Sequence, residues 1–333
     1  MSITPKANLL RALYHAAPDH VPWAGEGALR LVDHVGRKPP RSGADDWGVT
    51  WAPLPASYQV GAGEPAESYP IAHPANTAAE ALALRFPDPA APGLFAGLLD
   101  AIDRPRVLVV GEHGAGPCDR FVQLLGMPVA MIALLREPDV SADVMNHIAE
   151  YHIGIARGYL AAGVEAGWLA DDYAGDGGPL ISPALWRKRV LPAIARIIAV
   201  YRGAGAPVLF HTCGRAEAFV PDLLEAGVTA FNLQSDVCDL VGLKARFGRR
   251  IAIYGGLPSD LMLRGSADQV RAAARHAMRS LGSEGGLILA PDQPLAFPAE
   301  NVAALDEAAG RGSWTRQRDE AARQTGKYPL CEA

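Results

Sequence analysis

The chain has 333 residues, 49% of them hydrophobic and 20% charged, with a formal net charge of −5. That is a globular composition with apolar surface for a large core. Scattered Lys and Arg argue against a nucleic-acid surface, and no apolar run reaches the roughly 18 residues of a membrane span.

The opening MSITPKANLLRALYHAAPDH lacks the apolar stretch of a signal peptide. The four cysteines (Cys118, Cys213, Cys238 and Cys331) form no CxxC pair. Both point to a cytoplasmic protein with free thiols. A first helix is expected from Lys6 to Ala16, ended by Pro18, then a short strand at Val21-Pro22-Trp23-Ala24-Gly25. Residues 36–105 are irregular but hold Trp47, Trp51, Tyr58, Tyr69 and Phe86. This aromatic content predicts a packed excursion with a hairpin near Trp47–Trp51, not a linker.

From residue 106 short apolar runs alternate with helical patterns. The runs are Arg106–Val110, 167–170, 207–210, 229–231, 251–254 and 286–290. Helices are expected near 120–125, 141–162, 183–201, 216–226, 240–247, 267–281 and 299–309. Such alternation predicts a parallel sheet covered on both faces, either a closed barrel or an open doubly wound sheet. Nearly every run ends in polar or Gly residues, as the converging mouth of a (β/α)8 barrel requires, and no GxGxxG or GxxxxGK[ST] fingerprint supports a nucleotide fold. The expected fold is therefore a (β/α)8 TIM barrel, one domain over residues 1–333. About seven strands are countable, and the missing one is sought within 45–105.

The chemistry is expected at the strand ends. His211 and Cys213, one residue apart in extended chain, point to the same side and can share one Zn²⁺. Gly214 lets the chain turn at once. Asp171 and Asp172 point opposite ways, so one faces the mouth and the other caps a loop or helix; a carboxylate there binds substrate, orients a ligand or acts as a base. Glu26 follows the first strand as a ligand or proton donor. Glu112 and His113 hold the equivalent place after another strand. Asn232 and Gln234 are candidates to hydrogen-bond substrate. Gly255-Gly256 marks close approach of backbone or ligand. Cys118, Cys238 and Cys331 are read as packing or surface thiols.

The run Phe210-His211-Thr212-Cys213-Gly214, with the segment Asp222–Asn232, resembles the uroporphyrinogen decarboxylase superfamily, in particular its branch of zinc-dependent methyltransferases that serve corrinoid proteins. LLRALYHAAPDHVPW, DDWGVTW at 45–51, FPDP at 86–89, GPLISPALW at 178–186 and GGLILAPD ahead of PAENVAAL agree in order. The resemblance spans nearly the whole chain and itself implies a (β/α)8 barrel. Tetrapyrrole decarboxylases of the superfamily carry an Arg-Gln-Ala-Gly-Arg segment after the first strand. Here that stretch reads Trp23-Ala24-Gly25-Glu26-Gly27-Ala28-Leu29-Arg30, with one Arg and an acidic residue, which serves a poly-carboxylate poorly. The methyltransferase branch adds a second Cys near the last strand, where this chain has Gln293, so Glu26 or Asp292 is expected as third ligand.

The resemblance thus implies zinc-assisted methyl transfer between a small methylated substrate and a corrinoid protein or thiol. His211, Cys213 and Glu26 would hold the metal. Asp171 or Asp172 would position or protonate the leaving group, and Arg30, Glu112, His113, Asn232, Gln234, Gly255 and Asp292 would surround the substrate. The rivals are a metal-independent decarboxylase anchored by Arg30, acting on a tetrapyrrole or smaller acid, and a non-catalytic ligand-binding barrel. A homodimer is expected only because two-fold assemblies are common.

Overall fold

The computed structural model describes residues 3–36, 38–54 and 68–310; Tyr58 and Cys331 lie outside them. Seven parallel strands form one curled sheet: β1 (Leu29–Asp33), β5 (Leu108–Ala115), β6 (Ala166–Ala170), β9 (Val208–Thr212), β10 (Ala230–Leu233), β11 (Ala252–Leu257) and β12 (Leu287–Pro291), hydrogen-bonded in that order. The far edge returns to the start of the chain. Trp23 forms a parallel bridge with Leu289, whose N–H donates to the Pro22 carbonyl at 2.9 Å. This is the TIM-barrel type of fold. The uncounted strand is β1, and it precedes the irregular segment where it was sought. Residues 21–25 supply the single bridge at Trp23 and then a 3₁₀ turn over Ala24–Glu26, because Gly25 and Gly27 break the extended run.

Alternation along the strands separates two cores. Leu29, Leu108, Val110, Ala166, Trp168, Leu209, Ala230, Ala252, Tyr254, Ile288 and Ala290 fill the interior together with Leu9 and Leu13 of α1 (Pro5–Leu13). Helix α1 starts where Thr4 accepts the Ala7 N–H and Pro5 supplies a preset φ. The opposite strand faces pack on the helices α3 (Pro117–Leu125), α4 (Met127–Arg136), α5 (Pro138–Ala162), α6 (Pro183–Arg189), α7 (Leu191–Gly203), α8 (Val220–Ala226), α9 (Leu240–Phe247), α10 (Ser259–Arg264), α11 (Ala267–Leu281) and α12 (Ala299–Ala308); α2 (Ala78–Leu82) precedes them. The helix expected over 183–201 is two, since Pro192 has no N–H to continue the first. No single helix among the described residues is long and apolar enough to cross a membrane.

Within 36–105, β2 (Gly43–Ala44), β3 (Thr50–Pro53) and β4 (Ser68–Ala72) make a small antiparallel sheet, with β2 and β3 the arms of a hairpin. Asp45 organises its turn. Oδ1 accepts the N–H groups of Trp47 and Val49, and Oδ2 accepts Trp51 Nε1 at 3.0 Å and Arg120 Nη1 at 3.2 Å. The Arg120 guanidinium lies 4.6 Å from the Trp47 ring centre. One buried ion pair thus fastens the excursion to α3. Removing either partner strands a buried charge, so Arg120→Met and Asp45→Asn should each lose about 3–5 kcal/mol of stability. Urea unfolding of both and of the double variant checks this; the double variant should lose clearly less than the sum.

Candidate active site

The end of β9 presents His211 and Cys213 on one side of the chain, with Nε2 and Sγ 3.3 Å apart. In the sheet register His211 stands beside Ala170 of β6 and Asn232 of β10. The first places the Asp171-Asp172 step next to it. Asp172 turns to the cluster, and its Oδ1 accepts the Cys213 N–H at 2.6 Å. Among the described residues, Asp172, His211 and Cys213 are the metal-ligand group: one ligand atom of each lies within 4.8 Å of the others. On the other side, Asn232 Nδ2 donates to the Tyr254 carbonyl, which turns Oδ1 toward His211 Nδ1 at 2.6 Å. His211 therefore carries its proton on Nδ1, and the Nε2 lone pair faces Asp172 and Cys213.

Burial first, then the Asp172 carboxylate, pushes the Cys213 thiol well up, while the Gln293 amide, whose Nε2 donates to Sγ at 3.6 Å, pulls the other way. A thiol and a carboxylate this close repel once both ionise, and a divalent cation between them reverses that. One imidazole, one thiol and one carboxylate are a donor set that zinc accepts. The set fits zinc.

Several residues stand elsewhere than expected. Glu26 is outside the cluster; its carboxylate meets His20 Nε2 at 3.0 Å, because the 3₁₀ turn carries it back toward α1. The carboxylate that does lie beside His211 and Cys213 is that of Asp172. Asp171 is buried on the helix side, where its carboxylate accepts the N–H groups of Cys118 and Asp119 and the Tyr173 hydroxyl, thereby capping α3. His113 alternates with the inward Val110 and Glu112, so it packs among helices, with Nδ1 at 3.2 Å from His152 Nδ1 and Nε2 at 2.6 Å from the Tyr201 hydroxyl. Arg30 alternates with Leu29 and Leu31 and points away from the interior. Glu112 keeps the inward face. Gln234 Oε1 accepts the Gly214 N–H, which fixes the turn after Cys213. A Cβ at Gly255 would lie 3.0 Å from Asp292 Oδ1 and 3.3 Å from Asn232 Nδ2, so a bare backbone is needed there. Cys118 and Cys238 are buried.

A cavity of about 70 Å³ lies beside the cluster, and Asn232 and Gln293, which touch His211 and Cys213, are part of its lining. Leu31, Trp168, Tyr254, Met262 and Phe297 give it apolar walls, and Asp292 and Asp306 are its acids. Two acids near the mouth went unread in the sequence. Asp306 comes from α12. Asp119 of α3 lies against the Asp171-Asp172 step, its N–H donating to Asp171 Oδ1 at 2.7 Å. The run Gly116-Pro117-Cys118-Asp119, a helix start just after a strand, was the available signal for the latter.

Asp292 accepts the N–H and hydroxyl of Ser235 and the Gly256 N–H, yet burial pushes its carboxyl up from 3.8 to about 7. A folded-state pKa above the unfolded one stabilises fully below the unfolded value and is lost as pH rises through the folded one. The Asp292 contribution should thus fall from pH 4 to about 7 by on the order of 4 kcal/mol. Thermal unfolding of wild type and Asp292→Asn over this range checks it: the difference between them should move with pH in favour of Asn and level off above about pH 8.

Three comparisons bear on this geometry. The uroporphyrinogen decarboxylase family model matches residues 59–311. The uroporphyrinogen decarboxylase of Xanthomonas axonopodis pv. citri is 28% identical over 153 residues, 45% of this chain and 41% of that protein. The uroporphyrinogen decarboxylase of Mycobacterium tuberculosis is 30% identical over 160 residues, 44% of this chain and 42% of that one. The chain spans about two fifths of the length of these curated relatives. Among solved structures, a methyltransferase from Methanosarcina mazei superposes with a TM-score of 0.67 at 19% identity, covering 92% of this chain and 98% of that one. This likeness supports the barrel fold.

Proposed function

This chain belongs to the uroporphyrinogen decarboxylase family, and we propose that it is the metal-dependent methyltransferase kind of enzyme, moving a methyl group from a small methylated substrate to a corrinoid protein or a small thiol. The observation that carries this reading is the Asp172–His211–Cys213 group with a small cavity beside it, whose lining includes its neighbours Asn232 and Gln293 and, among the described residues, no Lys, Arg or His. The carboxylates of a tetrapyrrole acid would each need a cationic partner once desolvated, and the described wall offers none. Zinc held there would supply Lewis acidity, keeping an acceptor thiol ionised or polarising the methyl-bearing heteroatom. The chain's residues do the rest. Asn232 holds the His211 tautomer, Gln293 donates to the Cys213 sulfur, Gln234 fixes the Gly214 turn, and the aromatic walls exclude water.

The similarity to the uroporphyrinogen decarboxylases of Xanthomonas axonopodis and Mycobacterium tuberculosis favours a second reading, decarboxylation, in the metal-independent form weighed from the sequence. One comparison separates the two. Protein purified without chelator is assayed for methyl transfer to cob(I)alamin or a thiol, and for CO₂ release, before and after chelation. Methyl transfer that stops on chelation and returns with zinc is expected. CO₂ release insensitive to chelator, without methyl transfer, would overturn the proposal. Neither activity, with ligand binding retained, leaves a non-catalytic barrel.

A further inference from the structure

We propose that the cavity beside the Asp172–His211–Cys213 group takes a small neutral methyl thioether as the methyl-bearing substrate; this rests on the methyl-transfer reading above. The surface of the cavity is almost wholly apolar. Asn232, Asp292 and Asp306 share its wall, but each is engaged with the protein itself. Asp292 Oδ1 accepts the Gly256 N–H, and Oδ2 accepts the N–H and hydroxyl of Ser235. Asp306 accepts Trp23 Nε1 at 2.7 Å. Asn232 turns Oδ1 to His211 and Nδ2 to the Tyr254 carbonyl. A guest that gives up strong hydration on entry therefore recovers little from these groups, which disfavours ammonium ions and carboxylates alike. The rest of the wall suits sulfur. Trp168, Tyr254 and Phe297 line the space, the first two with centroids 5.2 Å apart and 85° between planes. Thioether sulfur makes favourable contacts with aromatic rings. It is also only a weak acceptor, so it loses less on leaving water than an ether oxygen does. Asn232 and Gln293 belong to the wall and touch His211 and Cys213, so the methyl-bearing sulfur would meet the metal group on their side.

The chemistry balances. The carbon–sulfur bond of the substrate breaks with its electron pair going to the leaving sulfur, and a lone pair of the acceptor thiolate forms the new carbon–sulfur bond. One thiolate replaces another, so charge is conserved and the cavity need not supply a proton. An ether would expel a far more basic alkoxide and would need one.

The test uses the full chain after chelation, so that binding is read without metal or acceptor. Titration calorimetry at pH 7 compares methyl propyl sulfide, 1-methoxypropane and N-methylpropylammonium, one chain shape carrying sulfur, oxygen or a charged nitrogen. The sulfide should bind about tenfold tighter than the ammonium or better, and about two- to tenfold tighter than the ether. Phe297→Ala should weaken the sulfide by about tenfold while leaving the ammonium unchanged. Equal or tighter binding of the ammonium or the ether, no sulfide binding at millimolar concentration, or an unchanged sulfide affinity in Phe297→Ala overturns the proposal. Sulfide selectivity without methyl transfer in the zinc-loaded protein counts against the function proposed above and leaves the cavity assignment standing.

Discussion

Cys213→Ser and His211→Ala should each strip the protein of zinc and of methyl transfer while leaving it folded. The geometry makes this the largest functional effect. Three protein donors are available among the described residues: Asp172, His211 and Cys213. Losing one leaves two donors, and a serine hydroxyl is a far weaker donor than a thiolate. Residues that merely orient a ligand typically change metal affinity by 10–100-fold. A ligand itself should cost more than about 100-fold, enough to empty the site at micromolar zinc. Asn232→Ala supplies the graded comparison. It frees His211 Nδ1 and the tautomer it fixes, so it should fall in the 10–100-fold range. Metal analysis after gel filtration, with zinc competition against a chromophoric chelator, reads all three. Full zinc occupancy in Cys213→Ser would sink the three-donor reading. Asp172→Asn should behave like the ligand variants, whereas Glu26→Gln should leave zinc binding intact, since Glu26 meets His20 instead.

The sequence makes much of the barrel legible because buried parallel strands read as short apolar runs, and their polar ends mark the mouth. His211 and Cys213 follow from that rule with the period-2 geometry of a strand. The same rule fails where parity is unknown. Glu112 and His113 sit at one strand end, and only the register of β5 shows that His113 joins the helix layer. Asp171 and Asp172 pose the same question, and the α3 N-terminus decides it by taking Asp171 as its cap. Strand β1 is missed because Gly25 and Gly27 interrupt the run ahead of it, so its five residues look like the tail of a turn. Asp306 is invisible for a different reason. It lies on α12, 283 residues from its partner Trp23, and only chain closure brings the two together.

Gly214→Ala should be the most damaging single-methyl change near the site, costing about 2–5 kcal/mol of stability and most of the zinc affinity. Two terms add. The residue has φ +71°, a left-handed conformation that costs an L-residue roughly 1–2 kcal/mol. The new Cβ would lie 2.4 Å from the Ala174 carbonyl oxygen and 2.5 Å from its carbon. These are backbone atoms of the short strand β7 (Ala174–Gly175), so no rotamer change relieves the overlap, and overpacking of this kind costs about 1–3 kcal/mol. The turn cannot swing away freely either. Gln234 holds its N–H and the Cys238 thiol donates to its carbonyl at 3.3 Å. The displacement must then be absorbed by Cys213, one residue back, which moves Sγ relative to His211 Nε2. Gly27→Ala is the matched control: φ is +69° and ψ 20° there, left-handed α, but no atom lies within 4 Å of the added Cβ. It should cost only the conformational part, about 1–2 kcal/mol, and leave zinc binding untouched. Urea midpoints for the two variants, with zinc affinity measured alongside, separate the contributions. If Gly214→Ala proves as mild as Gly27→Ala, the turn after Cys213 is looser than this packing implies, and the position of the thiol is not set by Gly214.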